Sequence, residues 1–121
     1  MGKTVLIVDD SMSIRQLVKA TLLTKGYTVV DACDGVDALQ KLGSQRVNLV
    51  ISDVNMPNMD GITLLKAIKA KPEHRFTPVI MLTTESQEGM KREGQAAGAK
   101  AWIVKPFQLE LMLAAVEKLL M

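Results

Sequence analysis

The sequence contains few cysteine, histidine and aromatic residues. Cys33 is the only cysteine among 121 residues, so no disulfide can form within the chain. A single free thiol fits a reducing compartment. Aromatic residues make up 3% of the chain, and Trp102 is its only tryptophan, so tryptophan fluorescence would report on one position.

Long apolar runs and an excess of one charge are also missing. No apolar segment approaches the roughly 20 residues that span a bilayer, and no signal peptide is visible. Lysine and arginine total 15 against 13 acidic residues, a formal charge of +2. This balance is too mild to indicate a nucleic-acid or membrane partner. The length of 121 residues and the 48% hydrophobic content predict one domain over residues 1–121, with no further domain. The lack of a membrane span and of a signal peptide predicts that this domain is cytoplasmic.

Short apolar runs alternate with helical spacing along the whole chain. Five strands and five helices in alternation predict an α/β fold with a doubly wound parallel sheet. The predicted strands are Val5–Val8, Thr28–Val30, Leu49–Asp53, Pro78–Leu82 and Ala101–Val104. The predicted helices follow them, with Ser11 or Ser13 as the first N-cap and glycines or Pro72 as helix stops. Periodicity does not give the order of the strands.

Polar side chains stand at the ends of four of these strands. Asp9 and Asp10 follow the first strand, Asp53 ends the third, Thr83 follows the fourth and Lys105 follows the fifth. Because the carboxyl ends of parallel strands share one edge of the sheet, these groups can meet in one pocket. Carboxylates in such a pocket repel each other. A lysine and a divalent cation would offset that repulsion, and an all-oxygen ligand set favours Mg²⁺ over zinc.

A carboxylate beside Mg²⁺, a lysine and a hydroxyl is suited to phosphoryl transfer. Asp53 can act as the nucleophile and form an acyl phosphate. Lys105 and Mg²⁺ would take up charge on the equatorial oxygens, and Thr83 could donate a hydrogen bond to one of them.

These motifs together resemble the receiver domains of two-component response regulators, of the stand-alone chemotaxis type. The resemblance runs along the whole chain and rests on five motifs in order: Asp9-Asp10, Asp53 with Met56-Pro57, Asp60-Gly61, Thr83, and Lys105-Pro106-Phe107. It implies a flavodoxin-like sheet of order 2-1-3-4-5. It also implies a signalling phosphoacceptor that catalyses only its own phosphotransfer and dephosphorylation, and is not an enzyme with a separate substrate.

The resemblance assigns a role to each motif residue. Asp53 would accept a phosphoryl group from a sensor histidine kinase, and Lys105 would pair with that group. Mg²⁺ would be bound by the side chains of Asp10 and Asp53 and the backbone carbonyl of Asn55, with Asp9 acting partly through water. Thr83 would be the switch hydroxyl. Hydrolysis of the acyl phosphate would be tuned at Asn55 and Glu85, and a cis peptide would precede Pro106.

Position 102 departs from the family pattern. The family usually has Tyr or Phe three residues before the lysine, and this residue turns inward when the threonine moves. Here the residue is Trp102, whose larger indole leaves two interpretations open, an aromatic switch or a packing residue. Phosphorylation is expected to shift the face around the fourth helix, the fifth strand and the fifth helix.

That face would bind a downstream protein, such as a flagellar motor switch or a phosphatase, and the chain is expected to be a monomer. One alternative is a receiver that only drains phosphate from a kinase. Another is a small Mg²⁺-dependent phosphatase with Asp53 as nucleophile, a class that needs an acid where this chain has Asn55. His74, the single histidine, lies in a polar stretch and is expected to be solvated, so it is not predicted to be a phosphodonor.

Overall fold

The computed structural model describes residues 2–83 and 88–120, without the side chains of residues 88–90. Within these residues, five parallel strands form one sheet in the order β2-β1-β3-β4-β5. The strands are β1 (Thr4–Val8), β2 (Thr28–Ala32), β3 (Leu49–Asp53), β4 (Val79–Thr83) and β5 (Ala101–Val104). The helices are α1 (Met12–Thr24), α2 (Gly35–Ser44), α3 (Gly61–Lys69), α4 (Glu88–Ala96) and α5 (Leu109–Leu120). The predicted fold class and strand order are confirmed.

Two apolar cores lie on the two faces of the sheet, because successive side chains of a strand point to opposite faces. In β1, Leu6 and Val8 face the core formed with α2 and α3, whereas Val5 and Ile7 face the core formed with α1 and α5. The central strands are buried on both faces, as their unbroken apolar runs predicted. Each strand therefore has a fixed register, and each strand end a fixed position.

Side-chain caps place the helix starts beside the carboxyl edge of the sheet. The backbone N–H of Ile14 donates to the Ser11 hydroxyl at the start of α1, which selects Ser11 over Ser13 as the N-cap. Asp34 caps α2 and Asp60 caps α3 in the same way. Among the described residues, no helix has both the length and the apolar character needed to cross a membrane.

The expectation that His74 is solvated was wrong. His74 ends a short 3₁₀ helix, Pro72–His74, that turns its ring inward, and the residue is buried. Its Nδ1 lies 3.2 Å from the hydroxyl of Thr77. A polar sequence neighbourhood did not reveal this local turn.

Candidate functional site

The carboxyl edge of the sheet brings together the acidic ends of β1 and β3. Val8 pairs with Ser52 in the parallel register, so the next residues, Asp9 and Asp53, lie side by side. Thr83 ends the neighbouring strand β4 and pairs with Val104, after which Lys105 follows. The register of four strands thus brings polar residues that are spread over about a hundred positions of the sequence together in one pocket.

Three carboxylates and one ammonium group form the centre of this pocket. One carboxylate oxygen from each of Asp9, Asp10 and Asp53 lies within 4.8 Å of the other two. The Lys105 ammonium donates to Asp9 Oδ2 at 2.9 Å and lies 3.5 Å from Asp53 Oδ2. Asp9 and Asp53 are buried, whereas Asp10 is exposed. The cluster therefore joins a buried ion pair to an opening toward solvent.

The electrostatics of the pocket disfavour the charged form of Asp53. Burial, and then the negative charge of Asp9, raise the pKa of Asp53 above its ordinary value of 3.8. The Lys105 ammonium and the backbone N–H groups of Val54 and Asn55 offset part of this rise. A cation bound in the pocket would favour the ionised carboxylate.

The remaining predicted site residues lie around the cluster at different depths. Thr83 is fully buried, and its backbone carbonyl accepts a hydrogen bond from the Lys105 N–H at 2.6 Å. Asn55 is exposed in the loop between β3 and α3, and a cis peptide joins Lys105 to Pro106. Glu85 lies outside the described residues.

The side chain of Trp102, on β5, packs against α4 and against the core cluster that includes α3. Its indole lies over Gly94 of α4, where an added Cβ would be 2.6 Å from Trp102 Cζ3 and 3.3 Å from Ile62 Cδ1. The indole N–H is buried and has no hydrogen-bond partner within the described part of the chain. An unpaired buried donor costs about 1–3 kcal/mol. Because the indole N–H has no partner there, no hydrogen bond holds the polar edge of the ring in place.

Comparison with known proteins assigns the pocket to a family. The profile of the response regulator receiver domain matches residues 5–117. The chain belongs to this receiver family. A chemotaxis protein CheY of Bacillus subtilis strain 168 is 40% identical over 121 residues, covering 99% of both chains. The receiver family is a two-component signalling family, and this chain is similar to its chemotaxis regulators along its full length.

Solved structures extend the likeness to three dimensions. The chemotaxis protein CheY4 of Vibrio cholerae superposes on this receiver domain with a TM-score of 0.94 at 46% identity, covering 98% of this chain and 99% of that one. The response regulator protein TrrA of Thermotoga maritima was crystallised in complex with Mg²⁺ and BeF. It superposes with a TM-score of 0.86 at 33% identity, covering 97% of this chain and 98% of that one.

The donor set of this receiver domain fits a magnesium ion. Two ligands of one octahedral Mg²⁺ lie at most about 4.2 Å apart, because each bond is about 2.1 Å long. The three carboxylate oxygens lie within 4.8 Å of one another, so modest side-chain shifts would bring them into range. The exposed position of Asp10 leaves room for the water molecules that Mg²⁺ usually keeps.

The structure also reveals contacts that the sequence analysis missed. Asn58 Nδ2 donates to Asp34 Oδ2 at 2.8 Å, which ties the loop after β3 to the start of α2. Arg15 Nη1 donates to the backbone carbonyl of Asp9 at 2.7 Å. A Cβ at Gly61 would lie 2.1 Å from the Asp53 carbonyl oxygen, so glycine is required there. The positive φ of 68° at Asn58 is typical of asparagine in such loops, but no motif or periodicity in the sequence predicts these partners.

Asp53→Asn is expected to stabilise the metal-free receiver domain at neutral pH. The substitution removes a buried negative charge next to Asp9 and keeps the shape of the side chain. The gain should be about 1–2 kcal/mol, because Lys105 already offsets part of the repulsion. The free energy of unfolding can be measured by urea titration in EDTA. Added Mg²⁺ should reduce the difference in the free energy of unfolding between the two proteins, since it binds the folded wild type more tightly than the folded Asn variant.

The pH dependence of this difference follows from the raised pKa of Asp53. In the folded state Asp53 holds its proton more tightly than in the unfolded state. Its contribution to stability is therefore fully present below the unfolded pKa and is lost as the pH rises through the folded pKa. The Asn variant should become the more stable protein as the pH rises from the unfolded to the folded pKa of Asp53. Below the unfolded pKa, this difference in the free energy of unfolding should vanish. A wild type that is the more stable protein at pH 7 in EDTA would contradict this account.

Gly94→Ala is expected to displace the Trp102 indole. Alanine in a helix would by itself add up to about 1 kcal/mol of stability. At Gly94 the new methyl group would overlap the ring, and overpacking costs about 1–3 kcal/mol. We expect a net loss of about 1 kcal/mol and a red shift of the single tryptophan's emission. Urea titration followed by fluorescence measures both.

Gly43→Ala is the matched control, because it is the same substitution in a helix where an added Cβ meets nothing within 4 Å. This variant should be at least as stable as the wild type, with unchanged emission. If Gly94→Ala behaves like Gly43→Ala in both measurements, the Trp102 indole does not pack over Gly94 in solution.

Proposed function

We propose that this receiver domain, residues 1–121, is a phosphorylation-activated switch of a two-component pathway. An Asp53 carboxylate oxygen would attack the phosphorus of a phosphohistidine on a separate sensor kinase. A new O–P bond forms, the P–N bond breaks, and the imidazole leaves with the electron pair. The product is an aspartyl phosphate that stays on the protein until water hydrolyses it.

The observation that carries this proposal is the convergence of three carboxylates and Lys105 on one point of the sheet edge. Asp9, Asp10, Asp53 and the Asn55 carbonyl would hold Mg²⁺, which supplies positive charge to the oxygens of the transferred phosphoryl group. Lys105 can leave Asp53 for a phosphoryl oxygen while it remains bound to Asp9. The Thermotoga maritima regulator that was crystallised with Mg²⁺ and BeF supports this assignment, since a beryllium fluoride imitates a phosphoryl group.

The signal would leave the site through Thr83 and the face formed by α4, β5 and α5. Thr83 is the buried end of β4, and β5 pairs with it in register, so a shift of its hydroxyl toward a phosphoryl oxygen would disturb packing next to Trp102. Trp102 would then leave Gly94 and take part in the switch, with Pro106 shaping the adjoining loop. Glu85 and Asn55 would tune hydrolysis.

The downstream partner would be a protein that binds this face. The likeness of this receiver domain to chemotaxis regulators favours a flagellar motor switch or a phosphatase as that partner. We propose a cytoplasmic monomer. A mixed-charge surface with a formal charge of +2 supports neither a nucleic-acid nor a membrane partner.

Labelling with acetyl phosphate tests the proposal without the kinase. The wild type incubated with acetyl phosphate and Mg²⁺ should gain the mass of one phosphoryl group, mapped to the peptide that contains Asp53. EDTA should suppress the gain. A wild type that stays unlabelled under both conditions and does not bind Mg²⁺ would overturn the proposal. Continuous release of phosphate from small phosphoesters would instead identify a phosphatase.

A further inference from the structure

Arg15 links the acidic pocket to the outer strand of the sheet. Its Nη1 donates to the backbone carbonyl of Asp9 at 2.7 Å, and its Nε donates to Asp31 Oδ2 at 3.2 Å. The side chain projects from α1 and is only 13% exposed. Asp31 lies on β2 and also faces Lys19 Nζ at 3.6 Å. Arg15 is thus a largely buried bridge between the end of β1 and a carboxylate outside the phosphorylation site.

Asp9, the residue that Arg15 holds, is bonded through both its backbone and its side chain. Asp9 Oδ1 accepts a hydrogen bond from the Ser11 N–H at 2.9 Å, and Asp9 Oδ2 pairs with Lys105. The backbone carbonyl of Asp9 accepts the hydrogen bond from Arg15, so both the backbone and the carboxylate of Asp9 are held. Small rotations about its backbone would swing the carboxylate relative to Asp53.

We propose that Arg15, anchored by Asp31, is a positioning residue that aligns Asp9 for cation binding and for its ion pair with Lys105. The hydrogen bonds of Arg15 go to the Asp9 carbonyl and to Asp31, not to a carboxylate of the cluster, so it acts through the Asp9 backbone. Partners one step outside a metal site commonly change metal affinity by 10–100-fold when they are removed. This inference rests on the proposed function, because it concerns the same pocket.

Positioning and plain electrostatics predict opposite results at Arg15. A guanidinium near three carboxylates repels an incoming cation, so loss of its charge alone should tighten Mg²⁺ binding. Loss of the bridge should weaken binding, because Asp9 is no longer aligned. Arg15→Lys separates the two effects further, since lysine keeps the charge but cannot reach two acceptors with a rigid fork.

The test measures Mg²⁺ affinity by Trp102 fluorescence and the labelling rate with acetyl phosphate. Arg15→Gln and Arg15→Lys should both raise the Mg²⁺ dissociation constant about tenfold and slow labelling at subsaturating Mg²⁺. Asp31→Asn should give a smaller effect in the same direction. Lys19→Gln is the matched control: Lys19 also faces Asp31 but makes no contact with Asp9, so its removal should change neither quantity.

A second measurement uses the metal-free protein. The Ser11 amide should exchange with solvent faster in both Arg15 variants, because its acceptor, Asp9 Oδ1, is less well held. Tighter Mg²⁺ binding in Arg15→Gln, wild-type affinity in Arg15→Lys, or unchanged Ser11 exchange would each overturn the positioning role. If the wild type itself neither binds Mg²⁺ nor accepts phosphate, the proposed function has failed, whereas wild-type labelling with unaffected Arg15 variants refutes this inference alone.

Discussion

Asp53→Asn is expected to abolish labelling by acetyl phosphate. The amide of asparagine is a poor nucleophile and cannot form a stable acyl phosphate, so the rate should fall by at least about a hundredfold. The loss cannot be attributed to unfolding, because the same substitution is expected to stabilise the metal-free protein. Intact-protein mass measured over a time course, with Mg²⁺ in excess, gives the rate.

One control variant and the mapping of any remaining label make this result specific to the position of Asp53. Asp60→Asn alters another carboxylate that follows β3, but Asp60 is exposed and caps α3 through the N–H of Thr63. This variant should be labelled at nearly the wild-type rate. Label that persists in Asp53→Asn and maps to Asp10 would show that the pocket phosphorylates a neighbouring carboxylate, and would contradict the assignment of Asp53 as the acceptor.

The sheet could be predicted from the sequence because its signal is local. The run Leu49–Asp53 is apolar on both faces, and only a strand between two helical layers buries such a run. The strand order needed the family resemblance, since hydrophobic patterns carry no information on which strands are neighbours. Element bounds differed by one or two residues; β2, for instance, extends to Ala32.

The membership of the acidic cluster could also be predicted, but its detailed contacts could not. Parallel topology places Asp9, Asp53 and Lys105 at one edge whatever their exact geometry. The closer approach of Lys105 to Asp9 than to Asp53 depends on side-chain conformation. The same holds for Arg15, which has to cross from α1 to the end of β1. Such contacts join residues that have no periodic relation in the sequence.

Lys105→Met is expected to destabilise the metal-free protein by about 3 kcal/mol. Methionine retains much of the apolar stem but removes the charge that pairs with Asp9, a residue with no exposed surface. Breaking a buried ion pair from one side commonly costs about 3–5 kcal/mol, because the remaining charge is left uncompensated. The lower end applies here, since the Ser11 N–H still donates to Asp9. Urea titration in EDTA measures the loss.

The double variant Lys105→Met, Asp9→Asn tests whether the loss comes from the stranded charge. If it does, the second substitution should recover most of the stability, because no buried carboxylate is then left unpaired at that position. Lys66→Met is the surface control: its pair with Glu93 spans 3.4 Å between side chains that are more than half exposed. Its loss should cost less than about 1 kcal/mol. Equal losses at Lys105 and Lys66, or no recovery in the double variant, would mean that the ion pair at the sheet edge does not set the stability of the pocket.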